Sequence, residues 1–219
     1  MLSAISANMP SSRDGPAPSF ILAMIAILFC WLGLIIFLGG QGVFHAAESS
    51  PPLATLTAFV GPPILFLLAQ RNAYIGAQTL KIDPIWVVAV QGLRILGAGF
   101  LFVYAFGHLP GVFAFFAGWG DVLVAILAPF VVAKLAAQRS FITTKRYLGF
   151  HVLGLLDFVG ALGSGLVARG TIPLRSTVES TEALGQFPLL LIPCFAVPMW
   201  ICLHIIAIRQ RNAALAEFA

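Results

Sequence analysis

Four polar side chains interrupt long apolar segments, and they are the residues of this chain best suited to chemistry. They are Gln91, Arg94, Asp121 and Asp157. Arg94 supplies a permanent cation with a planar set of donors, and each aspartate supplies a carboxylate that can hold a proton or bind a cation. Gln91 comes three residues before Arg94, which places both on one side of a helix. Such side chains are costly in a membrane, so we expect them to face one another inside a helix bundle.

The composition around these residues is too apolar for a water-soluble protein. Of the 219 residues, 60% are hydrophobic and 9% are charged, and the mean hydropathy is +0.99. Ordinary soluble proteins carry about 25% charged residues. We therefore expect an all-α polytopic membrane protein surrounded by a lipid bilayer.

Six apolar runs are long enough to cross a bilayer as helices, since about 20 residues at 1.5 Å each span about 30 Å. Their continuous apolar character disfavours a membrane β-barrel. The sequence predicts a six-helix transmembrane domain over 20–208, a disordered cytoplasmic segment over 1–19 and a cytoplasmic tail over 209–219. The predicted spans lie near 20–39, 53–69, 84–106, 112–133, 147–168 and 186–208.

Basic residues between the spans predict the orientation, because Lys and Arg are concentrated in cytoplasmic connections. With the amino terminus inside, only Arg169 and Arg175 fall outside. We expect both termini in the cytoplasm of a cell membrane, with a bacterial inner membrane as the favoured setting. This topology explains the net charge of +4 without any nucleic-acid partner. The basic residues expected inside are Arg13, Arg71, Lys81, Lys134, Arg139, Lys145, Arg146, Arg209 and Arg211.

The three charged side chains are predicted at similar depth. Arg94, Asp121 and Asp157 each lie about ten residues, or about 15 Å, into a span. The short turn over 107–111 makes the third and fourth spans antiparallel neighbours, so Arg94 is expected to pair with Asp121. One arginine does not neutralise two carboxylates, so either an acid holds a proton or a cation fills the gap. Asp157 is the candidate for this spare acid.

Two histidines form a second predicted constellation. His151 and His204 lie about four residues from the cytoplasmic ends of the fifth and sixth spans, at similar depth. A histidine pair on facing helices could ligate a haem iron or a metal ion. The alternative is a pair of hydrogen-bonded histidines near the membrane interface. No further ligand accompanies them in the sequence, so no cofactor is predicted.

Enzyme motifs give no match. The chain has no phosphate-binding Gly-x-x-x-x-Gly-Lys-Ser/Thr loop and no His-Glu-x-x-His zinc motif. Leu162-Gly163-Ser164-Gly165 and His204 resemble an intramembrane serine protease only superficially, since His204 lies at the opposite end of its helix from Ser164. These observations favour a protein that is not an enzyme.

The polar residues favour the binding or movement of a small solute or ion through an intramembrane site. Two alternatives remain from the sequence alone: a haem- or cofactor-bearing subunit, and a non-catalytic accessory subunit whose charges only fix helix packing. A homo-oligomer or a larger membrane complex would suit either of these roles.

Overall fold

The computed structural model describes residues 15–46, 50–172, 174 and 180–217. Within these ranges all regular structure is helical and no strand occurs. Most of the segment predicted to be disordered, together with Arg13 and Arg175, lies outside the described residues. Pro18 and Ser19 are helical rather than disordered, because proline is well accommodated in the first turn of a helix.

The helices follow one another with short connections. In the described ranges the α-helices are α1 (Pro18–Gly40), α2 (Leu53–Ala69), α3 (Ala73–Leu80), α4 (Pro84–Ala89), α5 (Ala98–Ala105), α6 (Gly111–Ala137), α7 (Lys145–Ala168) and α8 (Val197–Ala216). Further helical pieces are the 3-10 helices Val90–Gly97, Arg139–Thr143 and Glu182–Gly185, and the π-helix Ile192–Ala196. We call the end of the bundle with 41–46, 106–110, 169–172 and 180–191 the upper end, and the end with 70–83, 138–144 and 209–217 the lower end.

Among the described residues, five helical segments are long and apolar enough to cross a membrane. α2 and α3 would add a sixth crossing only as one broken span, because they are bent by 105°. Asn72 explains the break, since its side chain accepts hydrogen bonds from the backbone N–H groups of Tyr74 and Ile75 and so starts a new helix. The five segments are Pro18–Gly40, Pro84–Ala105, Gly111–Ala137, Lys145–Ala168 and Ile192–Ala216.

The last long helix differs from its predicted span at both ends. The prediction was 186–208, whereas regular helix runs from Ile192 to Ala216. Residues 209–216, expected in the tail, continue the helix because they are rich in good helix formers such as Ala, Leu, Arg and Gln. Gln210 fixes this extension by donating to the carbonyls of Leu80 and Ile82 at 3.3 and 2.6 Å.

α1 is attached to the bundle through a carbonyl that a proline leaves free. Pro198 has no N–H to donate to the carbonyl of Cys194, four residues earlier in the helix. The indole N–H of Trp31 donates to that carbonyl at 3.2 Å. Since Phe20 and Ile35 are the buried residues of α1, this hydrogen bond is an important link between an otherwise peripheral helix and the rest of the chain.

α6 is the central helix of the bundle. It packs against α4, the 3-10 helix Val90–Gly97 and α5 along one side, and against α7 along another. α8 packs against α2, α4 and α7. The helices that carry the polar intramembrane residues are therefore direct neighbours.

An ion pair between Arg139 and Asp83 stabilises the lower end. Arg139 donates to both carboxylate oxygens of Asp83 at 2.6 and 3.1 Å, and Asp83 also caps α4 by accepting from the backbone N–H of Ile85 at 2.9 Å. The hydrogen bond from Arg139 is the main reason that the pKa of Asp83 lies below its usual value.

We expect Asp83→Ala to lower the free energy of unfolding by about 1 kcal/mol at neutral pH, the usual cost of losing an N-cap. The exposed ion pair adds little to this loss. Because the folded-state pKa of Asp83 is lowered, the carboxylate stabilises the fold above its unfolded-state pKa, and this contribution disappears as pH falls through the folded-state pKa. Thermal unfolding in detergent should therefore show the gap between wild type and variant narrowing in acid.

Asp83→Asn is the matched control, since asparagine caps a helix about as well as aspartate but carries no charge. Its stability at neutral pH should lie between those of wild type and Asp83→Ala, because it keeps the cap and loses the charge, and it should not follow the titration of Asp83. An Asp83→Ala variant as stable as wild type at neutral pH would contradict this role.

Candidate functional site

The 3-10 helix in the middle of the third long helical segment aligns the polar residues. Its buried residues are Gln91, Arg94 and Gly97, spaced by three. A 3-10 helix has three residues per turn, so these positions lie directly above one another, whereas in an α-helix they would drift around the axis. Leu93, Ile95 and Leu96 on the other sides are exposed. The 3-10 geometry therefore places Gln91 and Arg94 on one side of the helix, and this side faces α6, α7 and α8.

Arg94 is the centre of the site and is fully buried. Its Nε donates to Oδ1 of Asp121 at 2.7 Å, and its Nη2 donates to Oδ2 of Asp157. The expected pairing with Asp121 is present, but the same guanidinium also holds Asp157. The planar fork of arginine allows this arrangement, because its donors point in several directions at once.

The remaining face of the guanidinium is also occupied. Nη1 donates to the carbonyl of Gly154 at 3.3 Å and lies 3.2 Å from Nε2 of His204. The ring of Phe158 stacks on the guanidinium, with its centroid 3.9 Å from Cζ. Side chains or carbonyls from α6, α7 and α8 thus meet on a single arginine.

The charges of this cluster do not balance. When Arg94, Asp121 and Asp157 are all ionised, these three side chains carry one net negative charge. The two carboxylate side chains are 4% and 8% exposed. A charge so poorly solvated needs compensation, which a proton or a bound cation could supply.

Three glycines allow the charged groups to come this close. A Cβ at Gly97 would overlap the side chain of Asp121, one at Gly120 would overlap the carboxylate of Asp157, and one at Gly154 would overlap His204 and crowd Arg94. Residue spacing predicts Arg94 and Asp121 at similar depth, but it does not show how closely the backbones approach each other at each contact. Small residues allow this close helix packing in membranes.

His204 and His151 extend the cluster towards the lower end. Both are fully buried, and their Nδ1 atoms lie 2.8 Å apart. Arg94 is only a donor, so Nε2 of His204 must accept and its Nδ1 carries the proton. His204 then donates to Nδ1 of His151, which leaves the proton of His151 on Nε2. That buried nitrogen has no hydrogen-bond partner among the described residues.

The histidine pair fits a hydrogen bond better than a metal centre. Two nitrogens that bind one ion from opposite sides lie about 4 Å apart, twice a metal–nitrogen bond of about 2.0–2.1 Å. The Nδ1 atoms of His151 and His204 are 2.8 Å apart, and the Nε2 atom of His204 faces Arg94. In the part of the chain that the structure describes, no group of three or more His, Cys, Asp or Glu residues could hold a metal ion. As placed, the pair does not fit axial ligation of a haem iron.

Gln91 contacts α8 and has no hydrogen bond to either carboxylate among the described residues. Its Nε2 donates to the backbone carbonyl of Trp200 at 3.4 Å. Its Oε1 is buried and without a hydrogen bond to the described residues. The structure therefore places Gln91 beside the charge cluster, as the spacing predicted, but in contact with α8.

A narrow cavity of about 90 Å³ lies between the loops of the upper end and the cluster. Asp121 and Asp157 both line it, whereas Arg94 lies buried behind them. Ala161 and Gly165 continue the wall above Asp157. Much of the wall is aromatic and comes from several helices: Phe44, Phe59, Phe100, Phe113 and Phe158.

Residues at the mouth of the cavity were not predicted as part of the site. Arg169 is buried and donates to Thr181 at 2.7 Å and to the carbonyls of Ala46 and Ser50 at 3.2–3.3 Å. Glu182 also lines the cavity. From the sequence, Arg169 was predicted only as a basic residue of an outer loop. Nothing in the residue spacing indicates which loops fold over α7.

The helical bundle, with several helices long and apolar enough to cross a membrane, is compatible with a multi-pass membrane protein. The chain belongs to the family described as Domain of unknown function (DUF8737), which matches residues 51–210. This region contains the whole charge cluster and both histidines, and it leaves out α1. No curated protein and no solved structure matches the chain.

The close packing of Gly120 against Asp157 leads to a testable prediction. We expect Gly120→Ala to destabilise the protein by about 3 kcal/mol or more, because the new methyl group displaces a carboxylate from a buried ion pair. Thermal unfolding of the purified protein in detergent measures the loss.

Gly163→Ala is the matched control. A Cβ at Gly163 meets nothing within 4 Å, so the substitution should be neutral or stabilise α7 by up to about 1 kcal/mol through helix propensity. If Gly120→Ala is as stable as Gly163→Ala, the close approach is not important for the fold.

Proposed function

We propose that this chain is a six-span membrane protein with both termini in the cytoplasm, and that its polar intramembrane site binds or moves a small solute or ion. The six spans count α2 and α3 as one broken span. The lower end then faces the cytoplasm, because it carries basic residues such as Lys81, Lys134, Arg139 and Arg211. The upper end, whose loops line the far end of the cavity, then faces the outside.

The observation that carries the proposal is the cavity that ends on the two carboxylates. Charged side chains inside a membrane are costly and usually mark solute or proton pathways. An ion pair that only fixed helix packing would need no access from outside. Here Asp121 and Asp157 line a cavity whose other end lies among the upper loops. This access supports a binding site over a purely architectural ion pair.

Polar groups below the cavity support a proton path with one break, because Arg94 is a permanent donor and does not pass a proton from Asp157 to His204. A proton crosses this point only in a second conformation. Asp157, Arg94, His204 and His151 follow one another from the base of the cavity towards the lower end. His151 lies six residues after Lys145, the first residue of α7, or about 9 Å from that end. The polar groups thus reach from the cavity into the cytoplasmic half of the membrane.

Movement across the membrane needs a second conformation, because Arg94, His151 and His204 are fully buried and close the lower half. Two irregular helices lie where such a change could occur. The 3-10 helix Val90–Gly97 carries Arg94, and the π-helix Ile192–Ala196 includes Pro193, which lines the cavity. Irregular turns inside membrane helices are common at sites of movement and binding.

Proton flux into proteoliposomes tests the proposal. With a pH-sensitive dye trapped inside and a pH gradient imposed, wild-type protein should dissipate the gradient faster than empty liposomes. Asp157→Asn should slow this flux by about tenfold or more, because the amide cannot take up and release the proton. Candidate solutes added outside should change the rate of proton flux through the wild-type protein but not through Asp157→Asn.

Asp83→Asn is the control, since Asp83 is an exposed carboxylate in the ion pair at the lower end. Its flux should equal that of wild type. Equal flux and equal pH dependence in Asp157→Asn and wild type would contradict proton movement at this site. That result would favour the accessory-subunit interpretation, in which neutralising Arg94 disrupts assembly with a larger complex.

A further inference from the structure

We propose that the solute of this site is a small organic monocation of the methylated ammonium class, which binds with its charge beside Asp157 and Asp121 and replaces a proton there. This inference rests on the proposed function and specifies the class of ligand. Three features of the cavity support it: the sign of the charge at its base, the chemistry of its walls and its size.

The sign of the charge favours a cation. Asp121 and Asp157 line the cavity while Arg94 is buried behind them, so a ligand meets carboxylate oxygens before it meets the guanidinium. The three ionised groups leave one negative charge, which a single positive charge neutralises. An anion would be repelled by both carboxylates, and a neutral ligand would leave the charge uncompensated.

The walls favour an organic cation over a metal ion. Metal ions such as Ca²⁺ and Mg²⁺ take about six or more oxygen ligands, whereas this cavity is lined mainly by phenylalanine and aliphatic side chains. Aromatic faces attract organic cations, and apolar walls favour an apolar body around the charge. Phe113 and Phe158 line the cavity together with the two carboxylates.

The size restricts the ligand to a small cation. Pockets for drug-sized molecules usually measure about 300–1,000 Å³, whereas this cavity has about 90 Å³. A cation as small as tetramethylammonium fits beside Asp157, and a bulkier one does not.

The charged and titratable groups near the cation, among the described residues, come from several helices and from the mouth of the cavity. Asp157 faces Arg94 from the 3-10 helix and Asp121 from α6, and His204 from α8 reaches it only through Arg94. Arg169 and Glu182 lie at the mouth. Proton and cation compensate the same negative charge, so they compete, and the cation should bind more weakly in acid. The displaced proton leaves to the water in the cavity.

Binding of tetramethylammonium to the full chain in lipid nanodiscs tests this inference. The neutral molecule tert-butanol has a similar size, and empty nanodiscs correct for partition into lipid. Equilibrium dialysis in alkaline buffer should show saturable binding of tetramethylammonium with about one site per chain. The neutral molecule should show no saturable binding. In mildly acidic buffer the affinity for tetramethylammonium should fall.

Asp157→Asn should weaken tetramethylammonium binding by about tenfold or more. Asp83→Asn should bind like wild type, and Asp157→Glu should recover part of the affinity, which separates loss of charge from misfolding. Binding of tert-butanol as strong as that of tetramethylammonium, or Asp157→Asn binding tetramethylammonium like wild type, would overturn the inference.

The two experiments can fail separately. If tetramethylammonium does not bind but Asp157→Asn still slows proton flux, the ligand class is wrong and the proposed function stands. If it binds in an Asp157-dependent way but no flux is found, the site binds a cation and does not move protons.

Discussion

The buried guanidinium of Arg94 is the constraint on which the rest of the bundle depends. A cation this far from water must be compensated, and here two carboxylates, a carbonyl and a histidine nitrogen surround it. These partners come from α6, α7 and α8. Removing one partner of a buried charge usually costs about 3–5 kcal/mol, so the position of each of these helices is tied to a single side chain.

Backbone features make that arrangement sterically feasible. The 3-10 turn stacks Gln91, Arg94 and Gly97 on one side, and Gly97, Gly120 and Gly154 lie where a methyl group would collide with the charged side chains. Above the carboxylates the same packing leaves a cavity that is lined by phenylalanine rings. Charge compensation and the shape of the cavity therefore have a common origin in how closely these helices approach.

Much of this arrangement follows from sequence, and the rest depends on tertiary packing. Apolar run length and residue counting predicted the helical class and placed Arg94, Asp121 and Asp157 at one depth. They could not show that one guanidinium serves both acids, because that needs the rotation of three helices about their axes. Likewise, His151 and His204 were expected at equal depth, but only side-chain geometry shows that they meet at 2.8 Å. The loops of the upper end have no periodic pattern in the sequence, so their position over the cavity could not be predicted.

Access of water to the cavity from the outer face is the most direct test of the account. Ala161 lines the cavity, while Val159 on the same helix is 67% exposed on the outer surface of the bundle. Each would be replaced by cysteine in a chain without Cys30, Cys194 and Cys202, and treated in sealed vesicles of known orientation with a membrane-impermeant thiol reagent. The account predicts rapid modification of Ala161→Cys from the outside only, and slow modification of Val159→Cys in lipid. Equal rates at both positions, or modification of Ala161→Cys from the cytoplasmic side, would contradict it.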